Sequence, residues 1–297
     1  MIIVKITGGL GNQMFQYAAA RRLANYHQTE LKLDISDYKN QEEGFITKRL
    51  FKLDKFNIQC EIADDNDLVK YKTFLNNYFR ITINKILARY YPGKQKTYVF
   101  QRKRTYHKST LHLPDNIYID GTWQSECYFS DIKDIIIQEF TLKNSLNEKY
   151  SSLFGNIKNS NSVAVHVRRG DYLKTSMGNL HLKPCSIDYY KSAMTEIGKI
   201  VNKPQFFFFS DDIHWIKNNL TIDSDDVIVS QFTNDDEFVD FTLMSACKHH
   251  IIANSSFSWW AAWLNQNPYK ITIAPTQWFS DDWIDTRYMI PDNWKLL

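Results

Sequence analysis

Between residues 162 and 274, short apolar runs alternate with amphipathic stretches, which leaves few folds open to this chain. Strands are expected at 162–167, 205–209, 227–230, 250–253 and 271–274. Helices are expected between them at 187–201, 212–220, 235–247 and 257–264. Such a succession produces parallel pairing, because parallel neighbours need a crossover long enough for a helix. The run FFFF at 206–209 fits a strand buried on both faces. The first half carries the theme more loosely. IIVKIT at 2–7 reads as a strand, GGLGNQ at 8–13 as a glycine turn, and 14–26 as a helix. A short strand at 31–34, an aromatic and basic helix at 77–91 and a strand at 117–123 follow. A helix at 130–140 is expected to be capped by Ser130. The Asn-, Ser- and Lys-rich stretch 143–162 marks a boundary, dividing the chain into 1–150 and 151–297. A chain of 297 residues has room for two domains and buries a core without disulfides or metals.

Ligands of open parallel sheets sit beyond the carboxyl ends of the strands. GGLGNQ follows strand 2–7, RRGDY follows 162–167, SDD follows 205–209 and NSSFSWW follows 250–253. Polar residues at so many strand ends point to a cleft between two domains. Alternation along VAVHVRRGDYL places His166 and Arg168 on one face and Arg169 on the other. Two adjacent guanidiniums suit a diphosphate, since their forks match phosphate oxygens and stay charged. The competing reading is a structural ion pair with Asp171 or Asp211. GGLGNQ lets backbone approach an anion at a helix start, yet its spacing is not the dinucleotide G-x-G-x-x-G, and a plain turn also explains it. SDD and NSS supply helix caps as readily as ligand contacts. Asp240 sits among Phe238, Val239 and Phe241, which points away from a plain surface charge. Asp223-Ser224-Asp225 matches a D-x-D metal motif only in an acidic loop, and His249-His250 point to opposite strand faces, so no metal site is expected. Cysteines 60, 127, 185 and 247 form no C-x-x-C pair and read as free thiols.

GGLGNQMFQYA, HVRRGDY, FFFSDD, NSSFSWWAAW and GTWQSECYF, in this chain's order and spacing, resemble the α-1,2-fucosyltransferase family from residue 1 to about 275. The resemblance implies an α/β fold of GT-B-like class, with two Rossmann-like domains facing across a cleft. Residues 1–150 would be the acceptor side and 151–297 the GDP-fucose-binding domain. It implies inverting transfer of fucose from GDP-fucose to the 2-hydroxyl of a β-galactoside, without a metal or other cofactor. By motif, Arg168 would bind the β-phosphate and His166 the guanosine portion, while Arg169 and Asp211 would shape the donor pocket. Asp240 would accept from guanine N1 and N2, Ser255 and Ser256 would donate to phosphate oxygens, and Asn12 would reach the diphosphate or fucose. The α-1,6 relatives carry a glutamate shortly after the arginine pair. This chain has no acid there, which leaves Asp171 and Glu126 as candidate bases. The nearest alternative is an inverting fucosyltransferase forming a different linkage.

The formal net charge of +3 hides a basic block. No Asp or Glu lies between Asp67 and Asp115, whereas eleven Lys and Arg do, interleaved with Tyr and Phe. The rest of the chain is therefore net acidic. Such a block suits an anionic partner. The expected partners are GDP-fucose and a galactose-terminated acceptor glycan, lipid-linked in the fullest form of this reading. Residues 68–114 would then rest against an anionic membrane. A nucleic-acid binder is the competing class, but no nucleic-acid module is present. No apolar run reaches the length of a membrane span, and the N-terminus lacks a signal-peptide core, so a cytoplasmic location, peripheral at the inner membrane, is expected.

Overall fold

The structure, a computed structural model, describes residues 1–39, 49–69, 97–101, 105–173, 183–233, 236–280 and 285–297, with Asp171 described by its backbone alone. The expected helix at 77–91 and most of the basic block lie outside the described residues. The chain forms two compact units. The first takes the described residues up to Lys143 together with Arg287–Met289, and the second takes the remainder. The crossing at 143/144 precedes the expected 150/151 because the turn Glu148–Tyr150 runs straight into helix Ser151–Asn159 of the second unit. Residues 287–289 return to the first unit, where Ser125 Oγ donates to the Tyr288 carbonyl at 2.5 Å.

Strands of the first unit are β1 (Ile2–Lys5), β2 (Leu31–Asp34), β3 (Glu61–Ile62), β4 (Tyr98–Phe100) and β5 (Ile117–Asp120). They lie in the order β3-β2-β1-β5-β4, every pair parallel. Helix α1 (Leu10–His27) starts four residues before the expected position, with Gly9 as its N-cap. GLGNQ therefore supplies its cap and first turn. Gly8 provides the left-handed corner before it, at φ +78°, where an L side chain is strained. The motif glutamines are buried and tie the loops down. Gln13 Nε2 donates to the Gly8 and Leu50 carbonyls, and Gln16 Oε1 accepts from Thr7 N–H at 2.9 Å. β5 stops at Asp120 rather than 123, and beyond it Trp123 adopts φ +52°, outside the extended range of a strand. The Gln101 amide oxygen accepts from the Thr122 and Trp123 N–H groups released from the ladder. Ser130 caps no helix: it opens a 3₁₀ turn, and α2 (Lys133–Glu139) follows.

In the second unit β6 (Ser162–Val167), β7 (Gln205–Ser210), β8 (Val227–Ile228), β9 (His249–Ile251), β10 (Thr272–Ala274) and β11 (Lys295–Leu296) form a parallel sheet in the order β11-β10-β9-β6-β7-β8. β6 is buried throughout. Helices α3 (Ser151–Asn159), α4 (Ile187–Gly198), α5 (Ile213–Asn219), α6 (Glu237–Ala246) and α7 (Ser256–Leu264) accompany it. α4 lays Tyr189, Tyr190, Ala193 and Ile197 on a core that includes Val163, Val165 and Phe208. The Tyr189 hydroxyl meets the Ile252 carbonyl at 2.7 Å, so this large ring is buried without stranding its polar end.

Candidate functional site

The second unit gathers its polar motifs at the carboxyl edge of its sheet. In β6 and β7, Val167 is register partner to Ser210. Continuing that register past the strand ends brings two arginines against two aspartates. Arg168 Nη1 is 3.0 Å from Asp211 Oδ2, and Arg169 Nε is 3.3 Å from Asp212 Oδ2. Asp211 also accepts from the Arg169 and Gly170 backbone N–H groups at 2.9 and 3.0 Å. A Cβ at Gly170 would sit 2.8 Å from the Asp211 carboxylate, so this approach needs glycine. The Arg169 guanidinium lies 4.4 Å from the centre of the Trp215 ring, within cation–π range. Asp212 Oδ1 caps α5 by accepting from Trp215 N–H at 3.0 Å. Of the caps that SDD and NSS offer, Ser210 and Asp211 thus serve elsewhere, whereas Ser255 caps α7 and Ser256 is its first helical residue.

His166 is 6% exposed and its Nδ1 is buried without a hydrogen-bond partner. Burial, helped by the neighbouring Arg168 charge, pushes its pKa down to about 3. The ring therefore stays neutral at ordinary pH and offers hydrogen bonds without charge. It packs 5.7 Å from the Phe257 ring at the start of α7. Ser255 and Ser256 form that helix start, where the helix dipole favours an anion. The Tyr172 hydroxyl ties the loop after β6 to the Asn254 carbonyl at 3.0 Å. Asp240 stands in the first turn of α6, whose cap is Asp236. Its Oδ2 accepts from Ser230 Oγ at 3.1 Å, and Ser230 Oγ in turn accepts from Ser210 N–H at 2.9 Å.

His166, Arg168, Arg169, Asp211, Asp240, Ser255 and Ser256 are thus assembled on one sheet edge. Asn12 and Glu126 belong to the first unit. Asn12 Oδ1 accepts from Gln124 Nε2 at 2.8 Å, which couples the glycine motif to the W-Q-S-E segment. Glu126 lies in the 3₁₀ turn Glu126–Tyr128 capped by Ser125. Asp171 is in the helical turn Gly170–Leu173, and its side chain lies outside the described part. Sequence reasoning passed over Asp212, Trp215, Ser230 and Gln124. It also passed over Asp120, whose carboxyl burial raises above the usual range at the end of β5. The adjacency of RR and DD at the ends of neighbouring strands was the available signal for Asp212.

Among the described residues no group of three or more His, Cys, Asp or Glu is close enough to hold a metal. His249 Nδ1 accepts from Ile271 N–H and His250 Nε2 faces the Met244 carbonyl. All four cysteines are free. No helix among the described residues is long and apolar enough to cross a membrane.

The sequence profile of glycosyl transferase family 11 matches residues 1–296. The chain belongs to glycosyl transferase family 11. This glycosyltransferase is 35% identical over 300 residues to an α-1,2-colitosyltransferase of Escherichia coli, covering 99% of this chain and 98% of that one. It is 30% identical to the O-antigen biosynthesis glycosyltransferase WbnK of Escherichia coli, over 97% of this chain and 98% of that one. Similarity to human galactoside α-(1,2)-fucosyltransferase 1, also 30%, covers 46% of this chain and 40% of the human protein. In structure this family 11 protein resembles Arabidopsis thaliana FUT1 in complex with GDP, at TM-score 0.57, 10% identity and coverage of 98% and 74%. It also resembles the Bradyrhizobium fucosyltransferase NodZ, at TM-score 0.52, 13% identity and coverage of 88% and 92%. The fold is the expected α/β, GT-B-like class with two Rossmann-like units.

Proposed function

We propose that this family 11 glycosyltransferase moves L-fucose from GDP-fucose to the 2-hydroxyl of a β-galactoside in a glycan, with inversion. The observation that carries the reading is the Arg168–Asp211 and Arg169–Asp212 ladder beside the α7 N-terminus, in a family 11 chain. In the reaction the bond from the anomeric carbon to the phosphate oxygen breaks, and the acceptor oxygen bonds to that carbon from the opposite face. The acceptor proton passes to a base, for which Asp171 and Glu126 are the candidates. GDP leaves with added negative charge. Arg168, the α7 N–H groups and the Ser255 and Ser256 hydroxyls stabilise that charge in place of a divalent ion. His166 contacts the nucleoside, Asp240 reads the guanine edge, and Arg169 and Asp211 hold the pocket wall. Asn12 addresses the diphosphate or the sugar.

The 35% identity to a colitosyltransferase favours one second reading. Colitose is fucose without its 3-hydroxyl, so the same nucleotide site serves either donor. Incubation with GDP-fucose and GDP-colitose against a panel of β-galactosides, followed by linkage analysis, tests both. A 2-linked fucosyl product is expected; a preference for GDP-colitose selects the second reading, and any other linkage overturns the acceptor assignment. The basic block of residues 68–114 is proposed to hold the enzyme against an anionic membrane carrying the acceptor. Salt-sensitive co-sedimentation with anionic but not neutral liposomes is expected, and equal binding to both overturns it.

A further inference from the structure

We infer that Ser230 is a positioning residue: it sets the carboxylate plane of Asp240 and so the preference for guanine over other purines. This rests on the reading of Asp240 as the guanine contact. β8 pairs with β7 only at Phe207↔Val227 and Phe208↔Ile228. One further backbone bond, Val229 N–H to Phe208 carbonyl at 2.8 Å, closes the ladder, and the chain then turns away through Ser230–Thr233. The Ser210 N–H at the end of β7 is left without a strand neighbour on that side. Ser230, 4% exposed, supplies the acceptor at 2.9 Å.

A serine hydroxyl has a single proton. With the Ser210 N–H directed at its lone pair, that proton points to Asp240 Oδ2 at 3.1 Å. The bond joins the strand end that carries Asp211 and Asp212 to the first turn of α6. It also removes the freedom of the Asp240 carboxylate to rotate about its last torsion, which is broad for an aspartate. Reading guanine takes two parallel bonds, one from N1–H and one from the 2-amino group, and a carboxylate can accept both. A tilted carboxylate keeps one bond and loses the other. Inosine nucleotides, which lack the 2-amino group, make only the first. The orientation imposed by Ser230 therefore acts on the difference between GDP and IDP rather than on affinity for both.

Calorimetric titration of the full chain with GDP and IDP tests this. Ser230→Ala is expected to weaken GDP about tenfold, the worth of one hydrogen bond to a charged group, while IDP changes by less than about twofold. Ser230→Thr, which keeps the hydroxyl, restores the preference. Ser230→Ala also strands the Ser210 N–H and lowers the melting temperature, but that effect does not distinguish the two nucleotides. If the alanine variant does not fold, Ser230→Cys, whose thiol is a weak donor and acceptor, gives the same comparison. GDP and IDP falling together, or an unchanged ratio in folded variants, overturns the inference. Asp240→Asn is the separate control. Loss of the preference there with none in the Ser230 variants refutes Ser230 alone, whereas an unchanged ratio in Asp240→Asn refutes the guanine reading itself.

Discussion

Arg168→Ala separates a structural arginine from a phosphate ligand, because the two roles carry different magnitudes. As an ion pair with Asp211, Arg168 is 28% exposed and its partner 24%. Solvent screens such a pair, and its worth to the fold is below about 1 kcal/mol. That corresponds to a melting shift of a few degrees for units of this size. As a charge-assisted contact to a diphosphate, the same side chain is worth about 1.5–3 kcal/mol, or roughly 10- to 150-fold in Kd. Removing the guanidinium also turns the Asp211 carboxylate from a paired group into a like charge facing the phosphates. The loss for GDP is therefore expected toward the upper end of that range. Guanosine, which has no phosphate, should bind the variant as it binds the parent. Arg168→Ala combined with Asp211→Asn should recover part of the GDP affinity, since the second change removes the repulsion. Isothermal calorimetry with both ligands, alongside a thermal melt, reads all of these. Unchanged GDP affinity, or equal losses for GDP and guanosine, would refute the phosphate assignment.

Buried neutral histidines should make the second unit acid-sensitive. His166 and His250 are both held to a pKa of about 3, chiefly by burial, against about 6.5 in an unfolded chain. Above pH 6.5 both states are neutral and nothing changes. As the pH falls from there toward 3, the unfolded chain takes up protons that the native one does not. Stability then drops by about 1.4 kcal/mol per pH unit for each histidine once the pH is well below 6.5. Urea midpoints measured from pH 7 to pH 4 check this, and a flat profile contradicts it; His250→Gln should flatten the slope whatever its effect at pH 7. In the first unit, Glu139→Gln should destabilise by about 3–5 kcal/mol, because Glu139 is buried beneath Arg21 Nε at 2.9 Å and Tyr17 Oη at 2.6 Å; a denaturation midpoint within error of the parent contradicts it. Turnover should persist in excess EDTA, with the arginines and helix N-terminus carrying the leaving-group charge; loss of turnover restored by Mg²⁺ or Mn²⁺ overturns that mechanism.

The strands whose residues are apolar on both faces were legible to within a residue. VAVHV and FFFF predict β6 and β7 because burial on both faces leaves a continuous hydrophobic run. Helix α1 was read from Met14 because periodicity tracks apolar residues, whereas its first turn is held by a glycine cap and by buried glutamine amides. Gln13 and Gln16 look like surface residues to any hydropathy argument. They are buried because their amides complete loop hydrogen bonds that no apolar side chain can make. The cap of α5 is not legible in the sequence for a related reason. SDD offers three equivalent acceptors, and a one-residue difference in where β7 ends decides which of them caps α5.

The candidate site shows the same division between what composition marks and what geometry assigns. RR after β6 and DD after β7 are visible as letters, and each pair alone reads as a ligand set or as surface charge. Parallel pairing at equal register turns them into two cross-strand ion pairs, since residues one and two past Val167 must then meet residues one and two past Ser210. The consequence is chemical. Two carboxylates at the strand ends hold two guanidiniums in place, so an anion engaging them would cost less side-chain entropy. The carboxylates also stop the arginines from repelling one another at a separation of one residue. Ser230 and Asp240 are ten residues apart, in two different helical turns, with no spacing that marks them as a pair. They meet only because β8 ends early enough for a serine to take over the last ladder bond of β7. A strand longer by two residues would satisfy Ser210 with backbone and leave Asp240 without its Ser230 contact, so the short edge strand is itself part of how the Ser210–Ser230–Asp240 contacts are built.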